Sequence, residues 1–208
     1  FLHWAESELA HRSQRDAALR QLKFPHADFR KGQRELAETV YKAAGTGRCL
    51  LAQAPTGIGK TLGTLFPLLK AMPAQSIDKV FYLAAKTPGR QLALDALRLL
   101  APAQSPQPAL RVLELIARDK ACEHPDKACH GESCPLAQGF YDRLPAARSA
   151  AANTAMLDRA TLRAIAQRHC LCPYYLAQEM ARWSDVVVGD YNYFFDASAL
   201  LYAFTRDN

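Results

Sequence analysis

The stretch LLAQAPTGIGKTLGT, residues 50–64, decides the fold of this 208-residue chain. An apolar run comes first, a turn with two glycines follows, and a helix is predicted to begin at Lys60 and Thr61. The turn matches the phosphate-binding pattern GxxxxGK[ST], except that Ala54 stands where the pattern has glycine. Backbone N–H groups from Gly57 onward can turn inward around an anion at the positive end of the helix dipole. The stretch therefore predicts a nucleotide-phosphate site at the end of a buried strand.

Each residue type in the loop has a chemical reason to be there. Gly57 and Gly59 allow backbone angles and a close approach that a Cβ would block. Lys60 is expected to reach the β- and γ-phosphates, and the Thr61 hydroxyl is expected to hold Mg²⁺. The alternative is a glycine-containing turn beside a structural lysine, which the order of strand, loop, GKT and helix disfavours. The predicted cradle comprises Thr56, Gly57, Ile58, Gly59, Lys60 and Thr61, with Lys60 and Thr61 as the catalytic residues.

Composition indicates a globular protein with a polyanionic partner. Half of the residues are apolar, which excludes a disordered chain, and the formal net charge is +6. No apolar run approaches the roughly 20 residues that a membrane helix needs, and no secretory signal is visible. The chain starts without Met and stops just after Asp207 and Asn208, so we expect a piece of a longer polypeptide.

Predicted strands alternate with predicted helices, which favours a parallel sheet with right-handed crossovers. In such sheets, ligands bind at the carboxyl ends of the strands. Pro67 is expected to kink or shorten the helix in which it falls. The elements predicted are a helical lead-in over residues 1–23, a helix from Gly32 or Gln33 to Gly45, strands at 49–54, 80–84, 111–116 and 186–188, and a helix burying Leu92, Ala96, Leu99 and Leu100.

The six cysteines indicate a metal site, because a nucleotide-binding chain has little use for disulfides. Cys122, Cys129 and Cys134 are clustered, and Cys170 or Cys172 can close the set from a distance. Four thiolates can hold zinc or an iron–sulfur cluster. The absence of paired CxxC knuckles favours iron–sulfur over zinc, and scattered reduced cysteines are the remaining alternative. The three nearby histidines, His124, His130 and His169, are interpreted as polar neighbours.

The strand–helix alternation stops between Cys122 and Cys172 and resumes with SDVVVGDYNYFFD, residues 184–196. The region between is therefore predicted to be an insertion. The segment VVVGD could be the strand that ends in a metal-binding aspartate, with Asp190 on Mg²⁺. Tyr191 follows where a glutamate is expected, so Asp190 is not assigned to that role.

Four stretches together resemble the XPD- and DinG-like superfamily 2 DNA helicases, in a bacterial form. FPHADFRKGQ (24–33) is similar to the adenine-recognition segment of that family, and APTGIGKT (54–61) to its first ATPase motif. The cysteine-containing segment that ends in CPYYLAQ is similar to its iron–sulfur insertion, and SDVVVGDYNYFFD to the strand that re-enters the ATPase domain. The resemblance covers residues 24–200 and leaves residues 1–23 outside.

The resemblance implies roles for individual residues. Gln33 would contact the adenine edge, with Phe29 or Arg30 against the ring. The ligands of a [4Fe–4S] cluster would be Cys122, Cys129, Cys134 and Cys172, the last preferred to Cys170 because it directly precedes PYY. Residues implied in DNA contact are Thr87, Arg118, Lys120, Tyr191, Asn192 and Tyr193. For Arg118 and Lys120 a solvated charge pair, and for the aromatics packing in the core, are equally open.

The resemblance also implies an architecture and an activity. Residues 24–116 would begin a RecA-like α/β ATPase domain with a parallel sheet flanked by helices, residues 117–176 would form a mostly helical iron–sulfur insertion, and residues 177–208 would return to the ATPase domain. No DEAH-type segment is present, so we expect the fragment to hydrolyse little ATP by itself.

The parent would be an ATP-dependent helicase that moves 5′ to 3′ on single-stranded DNA and opens forked duplexes. It would act in repair or replication at the nucleoid, in the bacterial cytoplasm. The alternatives are a zinc-holding nucleic-acid module with a vestigial nucleotide site, and the motor of a nuclease–helicase.

Overall fold

The computed structural model describes residues 2–101, 108–196 and 200–205. The chain divides into two compact units. The first unit comprises Phe1–Val80 and Gln91–Ser105, and the second comprises Phe81–Arg90 and Pro106–Asn208.

The first unit is helical. It contains α1 (Leu2–Arg20), α2 (Gln33–Thr46), α3 (Lys60–Gln75) and most of α4 (Thr87–Leu100). Helices α1 and α2 both pack against α3, and Leu19, Leu65 and Leu69 are fully buried. The predicted lead-in helix and the helices on either side of the glycine loop are therefore confirmed.

Helix α3 runs for 16 residues through both Pro67 and Pro73, so Pro67 does not shorten it. A proline inside a helix removes one backbone donor and crowds the carbonyl four residues earlier. Leu65, Pro67 and Leu69 are all buried, and their packing keeps the helix intact past the missing hydrogen bond.

The predicted buried face of α4 was partly wrong. Ala96 and Leu100 are buried as predicted, but Leu92 and Leu99 are 59% and 58% exposed. Ala93 and Leu97, each one turn from a buried residue, are buried in their place. Spacing alone cannot choose between two stripes that differ by one position.

The predicted buried strand at residues 49–54 was also wrong. This stretch has no regular structure, and Leu51 is fully exposed. Among the described residues no strand lies alongside it, and an extended segment without a partner has no ladder of hydrogen bonds. The phosphate-loop motif is therefore preceded by an exposed apolar segment.

The second unit contains the sheet. Its strands are β1 (Val80–Leu83), β2 (Val112–Glu114), β3 (Met156–Leu157) and β4 (Val186–Gly189), in the order β1-β4-β2-β3. Strand β2 pairs in parallel with both β3 and β4. Leu113 and all of Val186, Val187 and Val188 are fully buried. The predicted α/β class with a parallel sheet flanked by helices is confirmed.

The sheet extends into residues 117–176, because β3 lies within that range. No strand was predicted there, since Met156–Leu157 has only two residues and no β-branched side chain. The helices of this unit are α5 (Arg118–Ala121), α6 (Phe140–Ala152), α7 (Arg159–Arg168), α8 (Pro173–Trp183), α9 (Asn192–Phe195) and α10 (Leu200–Ala203). Helices α6, α7 and α8 pack against one another. Across the described ranges, no helix combines the length and the apolar character required to span a bilayer.

Candidate functional site

The glycine loop lies at the N-terminus of α3, as its sequence predicts. Gly57 and Gly59 have φ angles of 86° and 82°, a region in which residues with a Cβ are strained. Gly59 directly precedes Lys60, the first residue of the helix. The backbone N–H groups at this end of α3 have no partner within the helix and form a potential anion site.

The side chain of Lys60 folds back over its own loop. Its Nζ donates to the carbonyl oxygens of Ala54 at 3.0 Å and Pro55 at 2.9 Å. Thr61 is half-buried in the first turn of the same helix. The ammonium group is thus held at the mouth of the loop by two neutral acceptors.

Arg30, which precedes α2, and Gln33, its first residue, brace the glycine loop through hydrogen bonds. Gln33 is 2% exposed; its Nε2 donates to the carbonyl of Gly59 at 3.0 Å, and its Oε1 accepts from the N–H of Arg30 at 3.0 Å. Arg30 in turn donates from Nη1 to the carbonyl of Gly57 at 2.6 Å. Two of the three side chains that were predicted to contact the base therefore hold the phosphate loop in shape.

The contact between Gln33 and Gly59 gives a first prediction. A Cβ on Gly59 would lie 2.3 Å from Gln33 Nε2, in addition to the strain of a φ near 82°. A Cβ on Gly47, whose φ is 64°, would meet no heavy atom within 4 Å. Gly47→Ala should therefore report the backbone cost alone, about 1–2 kcal/mol, and Gly59→Ala should cost about 1–3 kcal/mol more because of the clash. Urea unfolding of both variants measures the difference between their free energies of unfolding. Equal losses of unfolding free energy in the two variants would show that Gln33 does not brace the loop.

Phe29 lies in an aromatic cluster and not on the loop. It stacks on Phe24 with ring centroids 3.9 Å apart, and Phe66 of α3 meets both rings edge-on. The cluster borders a largely apolar cavity of about 400 Å³ that is also lined by Ala37 and Tyr41 of α2. Arg30 and Gln33 do not line this cavity, so the structure separates Phe29 from the other two residues that were predicted to bind the base. Phe66 and Tyr41 were missed, because neither belongs to a recognisable motif.

The four predicted cluster ligands are free thiols. Cys134 and Cys172 are buried, Cys122 is half-buried and Cys129 is exposed. Burial raises the pKa of the Cys172 thiol, and the nearby thiols of Cys122 and Cys134 add to that rise. The pKa of Tyr175 is also raised, first by burial and then by Cys129, which is its neighbour. Cys122 and Cys134 thus lie near Cys172, and Cys129 lies near Tyr175, both at the start of α8. In the described part of the chain, no group of three or more His, Cys, Asp or Glu is placed to hold a metal ion.

The first of these cysteines is held by ion pairing to α7. Arg163 donates to both carboxylate oxygens of Glu123, from Nε at 2.5 Å and from Nη2 at 2.8 Å. The hydrogen bond from Arg163 is the main reason that the pKa of Glu123 is lowered. Arg159 donates from Nη2 to the carbonyl of Lys120 at 2.9 Å. The segment on both sides of Cys122 is therefore anchored to one helix.

A second cavity, of about 340 Å³, lies at the carboxyl ends of β2 and β4. Of the residues with a predicted DNA contact, it brings together Lys120, Asn192 and Tyr193, whereas Thr87, Arg118 and Tyr191 do not line it. Burial is the main reason that the pKa of Tyr193 is raised to about 12. The lining residues that the motifs did not reveal are Arg90, Tyr174 and Gln178.

Arg90 organises this edge of the sheet. Its Nη2 donates to the Thr87 hydroxyl at 3.1 Å, and its Nη1 lies 3.7 Å from the Asp190 carboxylate. Asp190 also accepts from the N–H of Asn192 at 3.0 Å. Thr87 and Asp190 are thus joined through one guanidinium, and the Asp190 carboxylate is paired with a cation.

The profile of the DEAD/DEAH box helicase family matches residues 30–144, more than half of the chain. This chain belongs to the DEAD/DEAH box helicase family. A second helicase-related profile, DEAD_2, matches residues 107–203. A probable ATP-dependent helicase of Methanocaldococcus jannaschii is 43% identical over 47 residues, which is 23% of this chain and 7% of that protein.

The fold is similar to that of a solved XPD helicase. The TM-score is 0.56 at 18% identity, over 83% of this chain and 29% of that one. The chain therefore spans less than a third of either relative. The predicted membership of a helicase family is confirmed by the DEAD/DEAH box match, and the predicted likeness of the fold to XPD by the solved structure. The iron–sulfur cluster and the bacterial origin stay predictions.

The two family profiles match different parts of the candidate sites. The loop with Lys60 and the bracing residues Arg30 and Gln33 fall within the DEAD/DEAH box match. Cys172 and the strand-edge residues Asn192 and Tyr193 fall only within the DEAD_2 match. Residues 2–29, with α1 and Phe29, lie outside both.

Proposed function

We propose that the full-length protein is an ATP-dependent DNA helicase that translocates on single-stranded DNA and separates duplex strands. The observation that carries the proposal is the glycine loop at the N-terminus of α3, with Lys60 at its mouth and Gln33 beneath it. A loop of this kind holds phosphates through backbone N–H groups without rearranging the core. The 5′ to 3′ direction, forked DNA as substrate and a role in repair or replication are further parts of the proposal.

In this proposal, Lys60 exchanges its two carbonyl acceptors for oxygens of the β- and γ-phosphates. The exchange replaces neutral acceptors by charged ones, and charge-assisted hydrogen bonds are the stronger kind. The Thr61 hydroxyl, one residue on, is the hard oxygen ligand that Mg²⁺ accepts beside phosphate oxygens. Mg²⁺ would neutralise charge that develops on the transferred phosphoryl group.

Base selection gives the second prediction. We expect the helicase to prefer ATP to GTP, with Gln33 reading the adenine edge and Phe29 or Arg30 against the ring. Because Gln33 also braces the loop, Gln33→Ala should lower the affinity for both nucleotides. The ATP-to-GTP preference should fall in addition by about tenfold, the worth of roughly one hydrogen bond to the base.

Nucleotide-binding titrations of Gln33→Ala and Gln33→Glu separate the two roles. Gln33→Glu keeps the acceptor for the Arg30 N–H but removes the donor to Gly59. An equal loss of ATP and GTP affinity in Gln33→Ala would contradict base reading and leave Gln33 as a brace alone.

The DNA path is proposed to follow the carboxyl edge of the sheet. Support comes from the cavity at the ends of β2 and β4, where Lys120, Asn192 and Tyr193 meet Arg90. Cations there can contact phosphates, and tyrosine rings can stack on unpaired bases. Thr87, Arg118 and Tyr191 would extend the same path outside the cavity.

The third prediction concerns salt. If backbone contacts dominate, the affinity for single-stranded DNA should fall with salt, with a log–log slope of about −0.7 for each phosphate neutralised. Lys120→Ala should make that slope shallower by about one such unit, whatever the base sequence. Fluorescence anisotropy over a salt series measures both. Salt-insensitive binding, or a strong preference for one sequence, would count against a translocase.

We further propose that Cys122, Cys129, Cys134 and Cys172 hold a [4Fe–4S] cluster. The chemistry of the donor set fits, because such a cluster takes four thiolates; Cys122 and Cys134 lie near Cys172, and Cys129 lies near Tyr175 in the first turn of α8. The cluster would cross-link segments that are too small to build a core, and the chain's own role is to hold the four thiols in place.

A further inference from the structure

Two cysteine-bearing loops of the second unit converge on one arginine. Arg143, in the first turn of α6, donates from Nη2 to the carbonyl oxygens of Gln138 at 2.5 Å and Cys170 at 2.9 Å. Gln138 follows Cys134 by four residues, and Cys170 precedes Cys172 by two. One guanidinium therefore joins the loop of the third proposed cluster ligand to the loop of the fourth.

In each loop, backbone hydrogen bonds order the short stretch between the bridged carbonyl and the cysteine. The N–H of Gln138 donates to the carbonyl of Cys134 at 3.2 Å, which closes a tight turn. Cys170 has a φ of 54°, rare for a residue with a Cβ, and the next residue, Leu171, is fully buried and bonded to a carbonyl of α7. Cys172 then directly precedes α8. Each bridged carbonyl is therefore only a few residues from its cysteine along an ordered turn.

The guanidinium group of Arg143 has the geometry for this bridge, but its Nε is left without a partner in the described ranges. Its planar fork offers five donors in fixed directions, which a lysine ammonium does not. Gly139 lies against it, since a Cβ there would meet Nη1 at 3.1 Å. Arg143 Nε is buried with no hydrogen-bond partner in the described ranges, and a buried donor left unpaired is unfavourable. The guanidinium thus contacts both carbonyls while one of its own buried donors has no partner in the described ranges.

We propose that Arg143 is a positioning residue for the cluster, which keeps the loops of Cys134 and Cys172 at the separation that the thiolates require. The inference rests on the cluster of the proposed function. Arg143 touches no ligand atom and acts only through the two carbonyls. Groups that orient metal ligands in this way typically change metal affinity by 10–100-fold when they are removed.

The test compares three variants of the full chain, purified without oxygen, with the wild type. Arg143→Met keeps an unbranched apolar side chain but removes every donor, and Arg143→Lys keeps a cation without the fork. Arg148→Met is the matched control, because Arg148 lies on the same helix and pairs with Glu179 of α8 at 3.2 Å. The measurements are the rate of iron release to a chelator, from the visible absorbance of the cluster, and the urea midpoint of unfolding.

Arg143→Met should release iron about tenfold faster than the wild type, and Arg143→Lys should lie between them. Arg148→Met should lower the urea midpoint and leave the release rate unchanged. If Arg143→Met does not fold, the iron-release rate of Arg143→Lys tests the positioning role instead. Faster release than in the wild type supports the role, and release at the wild-type rate contradicts it.

Wild-type release rates in both Arg143 variants would overturn the positioning role, as would equally fast release from Arg148→Met, which would indicate general loosening. A wild type without iron and sulfide would remove the cluster proposal itself. A wild type that holds its cluster while the Arg143 variants are unchanged removes only the role of Arg143.

Discussion

Lys60→Ala in the full-length protein should reduce DNA-stimulated ATP hydrolysis by about 10²–10³-fold, the usual cost of removing one donor from a site that stabilises transition-state charge. The fold should survive. Lys60 is an exposed side chain whose contacts are two carbonyls of its own loop, at 3.0 and 2.9 Å. Because the ammonium is exposed and water can replace both carbonyls as its acceptors, losing these contacts should cost about 1 kcal/mol or less. The measurement is steady-state ATPase activity with and without single-stranded DNA, beside the urea midpoint.

Lys23→Ala is the control for this prediction, because Lys23 is an exposed lysine of the same unit that lies outside the loop. It removes the same charge and should leave ATP hydrolysis unchanged. Wild-type activity in a folded Lys60→Ala protein would make the loop a structural turn. That result would favour the nucleic-acid module with a vestigial nucleotide site.

The glycine loop could be predicted from sequence because its main determinants are adjacent in the chain. Two glycines at left-handed φ are followed directly by a lysine at the start of a helix. The bracing contacts of Arg30 and Gln33 come from a distant segment. The exposed segment before the loop could not be predicted in the same way. A strand needs a neighbouring strand, and pairing is a property of the fold and not of the residues at 49–54.

Gln33 illustrates a different limit. The resemblance of residues 24–33 to an adenine-recognition segment implied that Gln33 reads the base, and its amide can donate and accept. The structure shows that both functions of the amide are occupied, by the Gly59 carbonyl and the Arg30 N–H. A contact between residues 26 positions apart leaves no mark in the spacing of either segment. Base reading by Gln33 would therefore require an exchange of hydrogen bonds when nucleotide binds.

The strand-edge rule and the resemblance predicted different residues of this edge. The rule that ligands bind at the carboxyl ends of parallel strands pointed to Thr87 and Arg118, and neither lines the cavity. Lys120, Asn192 and Tyr193, which only the resemblance implied, do line it. Arg90 was missed although it joins Thr87 to Asp190, because an arginine in the first turn of a helix is common in any sequence. Only the fold shows which arginine faces the edge.

Cys172→Ser should abolish the brown colour of the anaerobically purified helicase and remove both its iron and its acid-labile sulfide. Cys122→Ser, Cys129→Ser and Cys134→Ser should do the same, since each residue would supply one of the four thiolates that such a cluster takes. The segments between α5 and α8 should also loosen, because metal binding contributes directly to the folding of small domains that hold little core. Duplex unwinding should be lost, while some ATP hydrolysis remains, because the loop with Lys60 belongs to the other unit.

Cys170→Ser is the sharpest control, because it lies only two residues from Cys172. Cys172 is buried, and the nearby Cys122 and Cys134 thiols add to the burial that raises its pKa. Cys170, in contrast, is exposed and has a left-handed φ. Cys170→Ser and Cys49→Ser should therefore keep the colour. Bleaching by Cys170→Ser but not by Cys172→Ser would keep the cluster and replace its fourth ligand. A colourless wild type that holds stoichiometric zinc after anaerobic preparation would defeat the iron–sulfur proposal, because thiolates bind both metals and only the metal content distinguishes them.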